Sequence, residues 1–205
     1  MSINHLVSQN PDTPELDISV KNLTVQGSVN NLTPSGGLFM ITSNGPLITN
    51  TTEEINLIEG ATIVGSNQVP ANGFEISSFH ANYSGSFNSL GGGRTLAIKV
   101  RSNGSVLAQF PAIQLTNAPG EFFEAELDFS IRSLGGPGVA SISTNIDFTY
   151  GDQGANSWRG ERACVVNSTT FDTTVDSELV ITAQFSDANP NLNIQCLQAF
   201  VNRVF

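Results

Sequence analysis

Between Phe123 and Ile131 every second side chain is apolar. Phe123, Ala125, Leu127, Phe129 and Ile131 alternate with Glu124, Glu126, Asp128 and Ser130. A period of two fits an extended strand with one buried face, because successive side chains leave opposite sides of the pleat. Beyond the break Gly135-Gly-Pro-Gly138, a matching run follows in Ala140, Ile142, Ile146, Phe148 and Tyr150, with Ser141, Ser143, Asn145, Asp147 and Thr149 facing outward. Such a pair cannot bury its apolar face alone, so the chain must supply a second layer.

The same rhythm closes the sequence. Leu179, Ile181, Ala183 and Phe185 alternate with Val180, Thr182 and Gln184; turn residues Asp187, Asn189, Pro190 and Asn191 follow. Then come Leu192, Ile194 and Cys196, and after them Leu197, Ala199 and Val201. Because the end is apolar up to Phe205, the last segment is expected to be a paired strand. Upstream, Phe74-Glu-Ile76 leads into Phe79, Ala81, Tyr83, Gly85 and Phe87. Leu96, Ile98 and Val100 then turn through Ser102-Asn103-Gly104 into Val106, Ala108 and Phe110. Asn-Gly between alternating runs signals a hairpin. No window has apolar residues at helical spacing. The pattern predicts an all-β fold, a single jelly-roll β-sandwich over residues 60–205.

Residues 1–59 read differently, as an extended N-terminal arm or short stalk. Residues 1–15 have no periodicity, and Leu16, Ile18, Val20, Leu23, Val25 and Val29 form short β segments. Leu38-Phe-Met-Ile41, Pro46-Leu-Ile48 and Ile55-Asn-Leu-Ile58 are small apolar clusters, too sparse for a core of their own. They must lie on the body of the chain, a sister subunit or another protein.

Of the 205 residues only 13% are charged, about half the ~25% of ordinary domains. The formal net charge is −10, and the nearest thing to a basic cluster is Arg94, Lys99 and Arg101. That balance argues against nucleic acid, whose affinity comes largely from neutralised phosphates, and against an anionic membrane surface. No apolar run approaches the ~20 residues that a membrane helix needs, so no membrane insertion is expected. The start Met1-Ser-Ile-Asn-His-Leu-Val lacks the basic and apolar regions of a secretory signal, which points to synthesis in a cytosol.

Candidate sites are few. Glu124, Glu126 and Asp128 share a strand face and could pair as glycosidase carboxylates, but such a row reads more simply as a solvated face that discourages edge pairing. Asp147, Asp152 and Glu161, or Asp187 with Asn189, lack the dense spacing of a calcium loop. His5 lies in the arm and His80 is expected to point outward, so no catalytic triad is supported. No catalytic residue, metal or cofactor is assigned. Cys164 and Cys196 fall on expected strands, as buried free thiols or one bridge. Asn22, Asn31, Asn50, Asn82, Asn103 and Asn167 each open an Asn-X-Ser/Thr triplet, as the composition alone would produce. The sharpest candidate is Trp158 beside Arg159 and Tyr150, in a loop expected over residues 151–161. It could stack on a glycan or anchor a protein, unless the indole folds back over the sandwich, which is the simpler expectation.

Two stretches resemble known proteins. Asn4-His-Leu-Val-Ser, followed by Leu16-Asp-Ile-Ser-Val-Lys-Asn-Leu-Thr-Val-Gln-Gly27, resembles the opening of structural proteins of large icosahedral DNA viruses. Leu179-Val-Ile-Thr-Ala-Gln-Phe-Ser-Asp-Ala-Asn-Pro-Asn-Leu-Asn-Ile-Gln195 resembles the last two strands of jelly-roll domains in viral fibre heads and vertex proteins. Their topology is similar to that of tumour-necrosis-factor and complement-C1q heads. The resemblance implies a non-enzymatic, self-assembling virion component made in the host cytoplasm. One form is a penton or minor capsid protein, a homopentamer whose arm reaches neighbouring capsid proteins. The other is a homotrimeric fibre or spike head that binds a glycan or receptor. The first 60 residues lack shaft repeats, which favours the capsid subunit.

Overall fold

The computed structural model describes residues 37–65, 68–69, 71, 78–90, 92–152 and 157–204. The first 36 residues, the Phe74–Ile76 lead-in and Phe205 lie outside these, and with them the strands expected between Leu16 and Val29, His5, Asn22 and Asn31.

Every regular element among the described residues is a strand. The larger sheet contains β1 (Gly37–Ile41), β2 (Ile48–Thr49), β4 (Ile63–Gly65), β6 (Ser78–Leu90), β10 (Asn117–Ser133), β11 (Ser141–Asp152), β12 (Ser157–Asn167) and β14 (Asn193–Arg203). Its order is β12-β11-β10-β6-β14-β1-β4, with β2 also on β14. The smaller sheet contains β3 (Ile55–Asn56), β5 (Gln68–Val69), β7 (Thr95–Ser102), β8 (Ser105–Gln109), β9 (Ile113–Gln114) and β13 (Ser177–Phe185). Its path is β3-β13-β7-β8, with β5 on β13 and β9 on β7. All pairings are antiparallel. This is the expected two-sheet sandwich. Its sheet-to-sheet crossings are compatible with a jelly roll, while β10–β12 form an uninterrupted meander in one sheet.

The alternating residues fill the space between the sheets. Phe79, Ala81, Tyr83 and Phe87 of β6 face Leu96, Ile98 and Val100 of β7 through one continuous core, joined by Phe123 to Ile131 and Ile142 to Tyr150. Phe79 stacks on Phe129 with ring centroids 4.6 Å apart, and Phe123 on Phe148 at 5.8 Å. Burying each such ring contributes roughly 2–3 kcal/mol, and stacking adds about 1 kcal/mol. The Tyr83 hydroxyl finds no hydrogen-bond partner among the described residues, and burial holds its pKa well above the usual phenol range.

Two sequence expectations change here. Residues 37–59 are not an arm apart from the sandwich: β1 and β2 pair with β14, and β3 pairs with β13. Phe39, Ile41, Ile48, Leu57 and Ile58 enter the core, so each short cluster gains by lying on the body of its own chain. Leu197 is not an inner residue either. The register shifts between Cys196 and Gln198, and Leu197 sits in that bulge, exposed. Gly85 faces the bulge, where a Cβ would meet the Gln195 carbonyl oxygen, so the close approach requires glycine. The Asn103-Gly104 hairpin forms as expected, both residues having positive φ (45° and 82°).

On the smaller sheet Lys99 and Arg101 of the expected basic cluster share one carboxylate, that of Glu54, while Arg94 pairs with Asp187. Glu54 accepts from Lys99 Nζ at 2.6 Å, from Arg101 Nη2 at 2.9 Å and Nε, and from the Thr182 hydroxyl at 2.6 Å. These donors, Arg101 foremost, hold the Glu54 carboxyl down at about 2. The unfolded chain restores the ordinary value of 4.5, so this stabilisation is complete above that pH and is lost as pH falls towards 2. Acid titration of unfolding is expected to show roughly 1–2 kcal/mol lost over that window through this group. Glu54→Gln should lower stability at neutral pH and flatten that part of the curve, as measured by denaturant melts at stepped pH; an unchanged curve would show that the cluster does not stabilise the fold.

Candidate interaction surfaces

The solvent face of the larger sheet carries the side chains left over when the core takes alternate positions. One register row crosses seven strands: Val64 (β4), Met40 (β1), Phe200 (β14), Asn82 (β6), Glu126 (β10), Asp147 (β11) and Arg162 (β12). It divides sharply. Its first three members are apolar, with Val64 56% and Met40 52% exposed, and Leu47 and Leu197 are exposed nearby on the β2 and β14 segments. Its last three members are ionic, and Arg162 Nε donates to Asp147 Oδ2 at 3.0 Å. The Arg162 pKa is raised by that hydrogen bond.

Glu124, Glu126 and Asp128 all face outward here, as their alternation requires. Asn82 Nδ2 donates to Glu124 Oε1 at 2.7 Å, and His80 Nδ1 meets Asp128 Oδ1 at 2.8 Å. His80 therefore points outward, as expected, and Glu124 and Asp128 each answer to a polar neighbour across the strand. No three of His, Cys, Asp and Glu cluster as metal ligands among the described residues.

Of the three residues of the expected contact site, the structure sets Tyr150 and Arg159 opposite each other across the β11–β12 ladder and sends Trp158 to the other face. Tyr150 is fully buried; its hydroxyl lies 3.3 Å from both the Thr116 amide nitrogen and hydroxyl. Trp158 and Arg159 stand on β12 rather than in a loop, because β11 continues to Asp152 and β12 begins at Ser157. Trp158 is not folded back over the sandwich; it is 64% exposed, opposite Gly151. Arg159 pairs with buried Asp152 on the other side of the strand. Phe122, 61% exposed, lies on β10 one position beyond the Phe123–Tyr150 pair, which brings it to the far side of Gly151 from Trp158. Glu121 closes over Gly151, where its carboxylate takes the place of a side chain.

Phe122, Met40, Val64 and Phe200 were not singled out from the sequence. A signal existed for two of them. Phe122-Phe123 are adjacent, and Leu38-Phe-Met-Ile41 is an unbroken apolar run, so in each case alternation must send some members outward.

On the smaller sheet a shallow depression of about 350 Å³ is lined by Thr52, Thr95, Ala97, Gln184, Phe185 and Ser186. None of these residues titrates, so the depression offers shape without acid–base chemistry.

No protein-family model and no curated protein matches this chain. Among solved structures it is similar to lectin UEA-II complexed with galactose, at 10% identity over 75% of this chain and 78% of that one, with a TM-score of 0.32. A likeness of this size carries no argument about the protein.

Both cysteines are free, Cys164 exposed on β12 and Cys196 buried on β14. The expectation of two buried thiols therefore holds for one only: Cys164 occupies the outward phase of an edge strand. Burial pushes the Cys196 thiol up to about 12, so its reactive thiolate is scarce at neutral pH. A thiol reagent such as Ellman's is expected to titrate Cys164 promptly in the folded protein and Cys196 only after denaturant is added; two fast thiols would contradict the burial of Cys196.

Proposed function

We propose that this chain is a non-enzymatic structural protein that assembles with copies of itself into a viral coat, as a penton or minor capsid subunit. The observation that carries this reading is the row Val64–Met40–Phe200, with Leu197 and Leu47 also exposed. Contiguous apolar side chains left in water at one side of a sheet mark a contact surface. The low charged fraction supports the same reading, since a polar, sparsely ionic exterior loses little charge hydration on packing, while the net charge of −10 opposes close packing and must be screened by salt. Repeating one heterologous contact closes a ring. A homopentamer is the favoured form and a homotrimer the other. The N-terminal arm would reach neighbouring capsid proteins, and the protein would reside in the virion.

A second reading, the fibre or spike head, is favoured by the exposure of Trp158 and Phe122 on either side of Gly151. Two outward rings with Glu121 close by suit a sugar, whose apolar face stacks on aromatics while its hydroxyls bind a charged group.

Native mass spectrometry at micromolar concentration is expected to show a symmetric ring. The double change Met40→Asp with Phe200→Asp should shift it to smaller species; because the two carboxylates then oppose each other across the β1–β14 ladder, at a cost of about 1 kcal/mol, a melting curve that keeps one cooperative transition separates lost assembly from lost folding. A wild-type chain that stays monomeric would overturn the assembly reading. On a glycan array, binding that drops about tenfold or more with Trp158→Ala would favour the head; no binder, or binding indifferent to Trp158, would eliminate it.

A further inference from the structure

Among the described residues β12 ends the larger sheet, so one of its edges faces away from β11. Residues 157–162 are exposed on both faces, whereas Ala163, Val165 and Asn167 are half-covered. The first half of the strand therefore overhangs the sandwich. Among the described residues, no backbone hydrogen bond outside the β11 ladder involves residues 157–162. A bare edge of this length is a template for another strand.

We propose that β12 pairs with β12 of a second copy, antiparallel, about a two-fold axis through Gly160. Symmetry and charge select this register. An axis that relates two antiparallel edge strands stands perpendicular to the sheet, so each face of one copy continues the same face of the other. Only residues of like phase can then oppose one another. With Gly160 on the axis, Arg159 opposes Glu161 of the second copy on one face, and Glu161 opposes its Arg159. On the other face Trp158 opposes Arg162 and Arg162 opposes Trp158, the geometry of a cation–π contact. The segment Trp-Arg-Gly-Glu-Arg is thus complementary to its own reverse.

Neighbouring registers lack this match. Centring on residue 159, 161 or 162 sets Arg159, Glu161 or Arg162 against its own copy, like charge on like. Gly160 puts no side chain on the axis. It is also held as glycine from within, because a Cβ there would meet the Phe148 carbonyl oxygen. Asp152 on Arg159 and Asp147 on Arg162 do not exhaust guanidinium groups with five N–H donors each. The contact uses none of the Val64–Met40–Phe200 row, so it stands or falls apart from the ring proposed above.

The experiment is a charge swap in the full chain carrying Met40→Asp and Phe200→Asp, which removes the other contact. Analytical ultracentrifugation of this background up to about 100 µM is expected to show a monomer–dimer equilibrium. Glu161→Arg or Arg159→Glu should each weaken the dimer about tenfold or more, by opposing like charges. An equal mixture of the two variants should restore it as a heterodimer, since positions 159 and 161 are both basic in one variant and both acidic in the other. Melting curves of both variants separate lost pairing from lost folding. A monomeric background, a dimer indifferent to both changes, or a mixture that fails to pair would each overturn the proposal. So would a dimer that oxidation locks through Cys164 to Cys164, because that bridge belongs to a different register. Retention of this dimer after the rings are lost would support the β12 contact and assign the ring contact to the apolar row.

Discussion

The pairing of β6 with β14 is the constraint on which the rest of the structure hangs. These two strands occupy the middle of the larger sheet, with the β10–β12 meander built outward from β6 and the N-terminal strands β1, β2 and β4 built from β14. Their join is tight: Gly85 lets the backbones approach at the Leu197 bulge, and the bulge re-phases β14 so that Cys196 and Ala199 both face the core. A chain that failed to form this pair would lose the support of both wings at once. The strand contributed last in sequence is therefore needed to place the strands contributed first.

That arrangement also decides what the surface offers. The apolar Val64–Met40–Phe200 group exists because the β1 segment docks on β14 and uses only half of its own apolar residues inward. The charged end of the same row lies five and six strands from β4 in register order, where Asp147 and Arg162 neutralise each other. Apolar and ionic surfaces are thus kept at opposite sides of one sheet, so the two proposed contacts would not compete for the same residues. The smaller sheet contributes differently. Its charge is gathered on Glu54, which ties the β3 approach to β7 and β13 through Lys99, Arg101 and Thr182. One acid held by three donors draws a short segment onto the sandwich that its few apolar residues would hold only weakly.

Much of the fold was legible because alternation is a local property. The runs at 123–131, 140–150, 179–185 and 192–196 each declare which face is buried, and the Asn103-Gly104 turn declares its own connection. The slip at Leu197 was visible as a break in phase, yet its consequence was not, since either neighbour could have been the one expelled. The candidate contact site was legible only in part. Trp158 and Arg159 were visible as residue types, but the loop expected around them became two paired strands, and Tyr150 went into the core to meet Thr116. Gly, Asp, Asn and Ser in that segment suggested a turn; ladder pairing between β11 and β12 overrode that expectation at residues 151–152 and 157–161.

By itself the sequence determined that this is a β protein whose strands send alternate side chains into a core, because a period of two admits no other regular structure with a dry side; that β13 also has Val180 and Thr182 buried on its other face it did not. It also determined the charge order of Trp158 to Arg162, which is complementary to its own reverse. Only the tertiary structure decided that residues 37–59 belong to the sandwich, that Met40 and Phe200 become neighbours, and that, among the described residues, β12 ends a sheet with its first half bare. Each of those facts depends on which strand lies beside which. Strand order follows from how distant segments jointly fill one core, and no local run of residues carries that information.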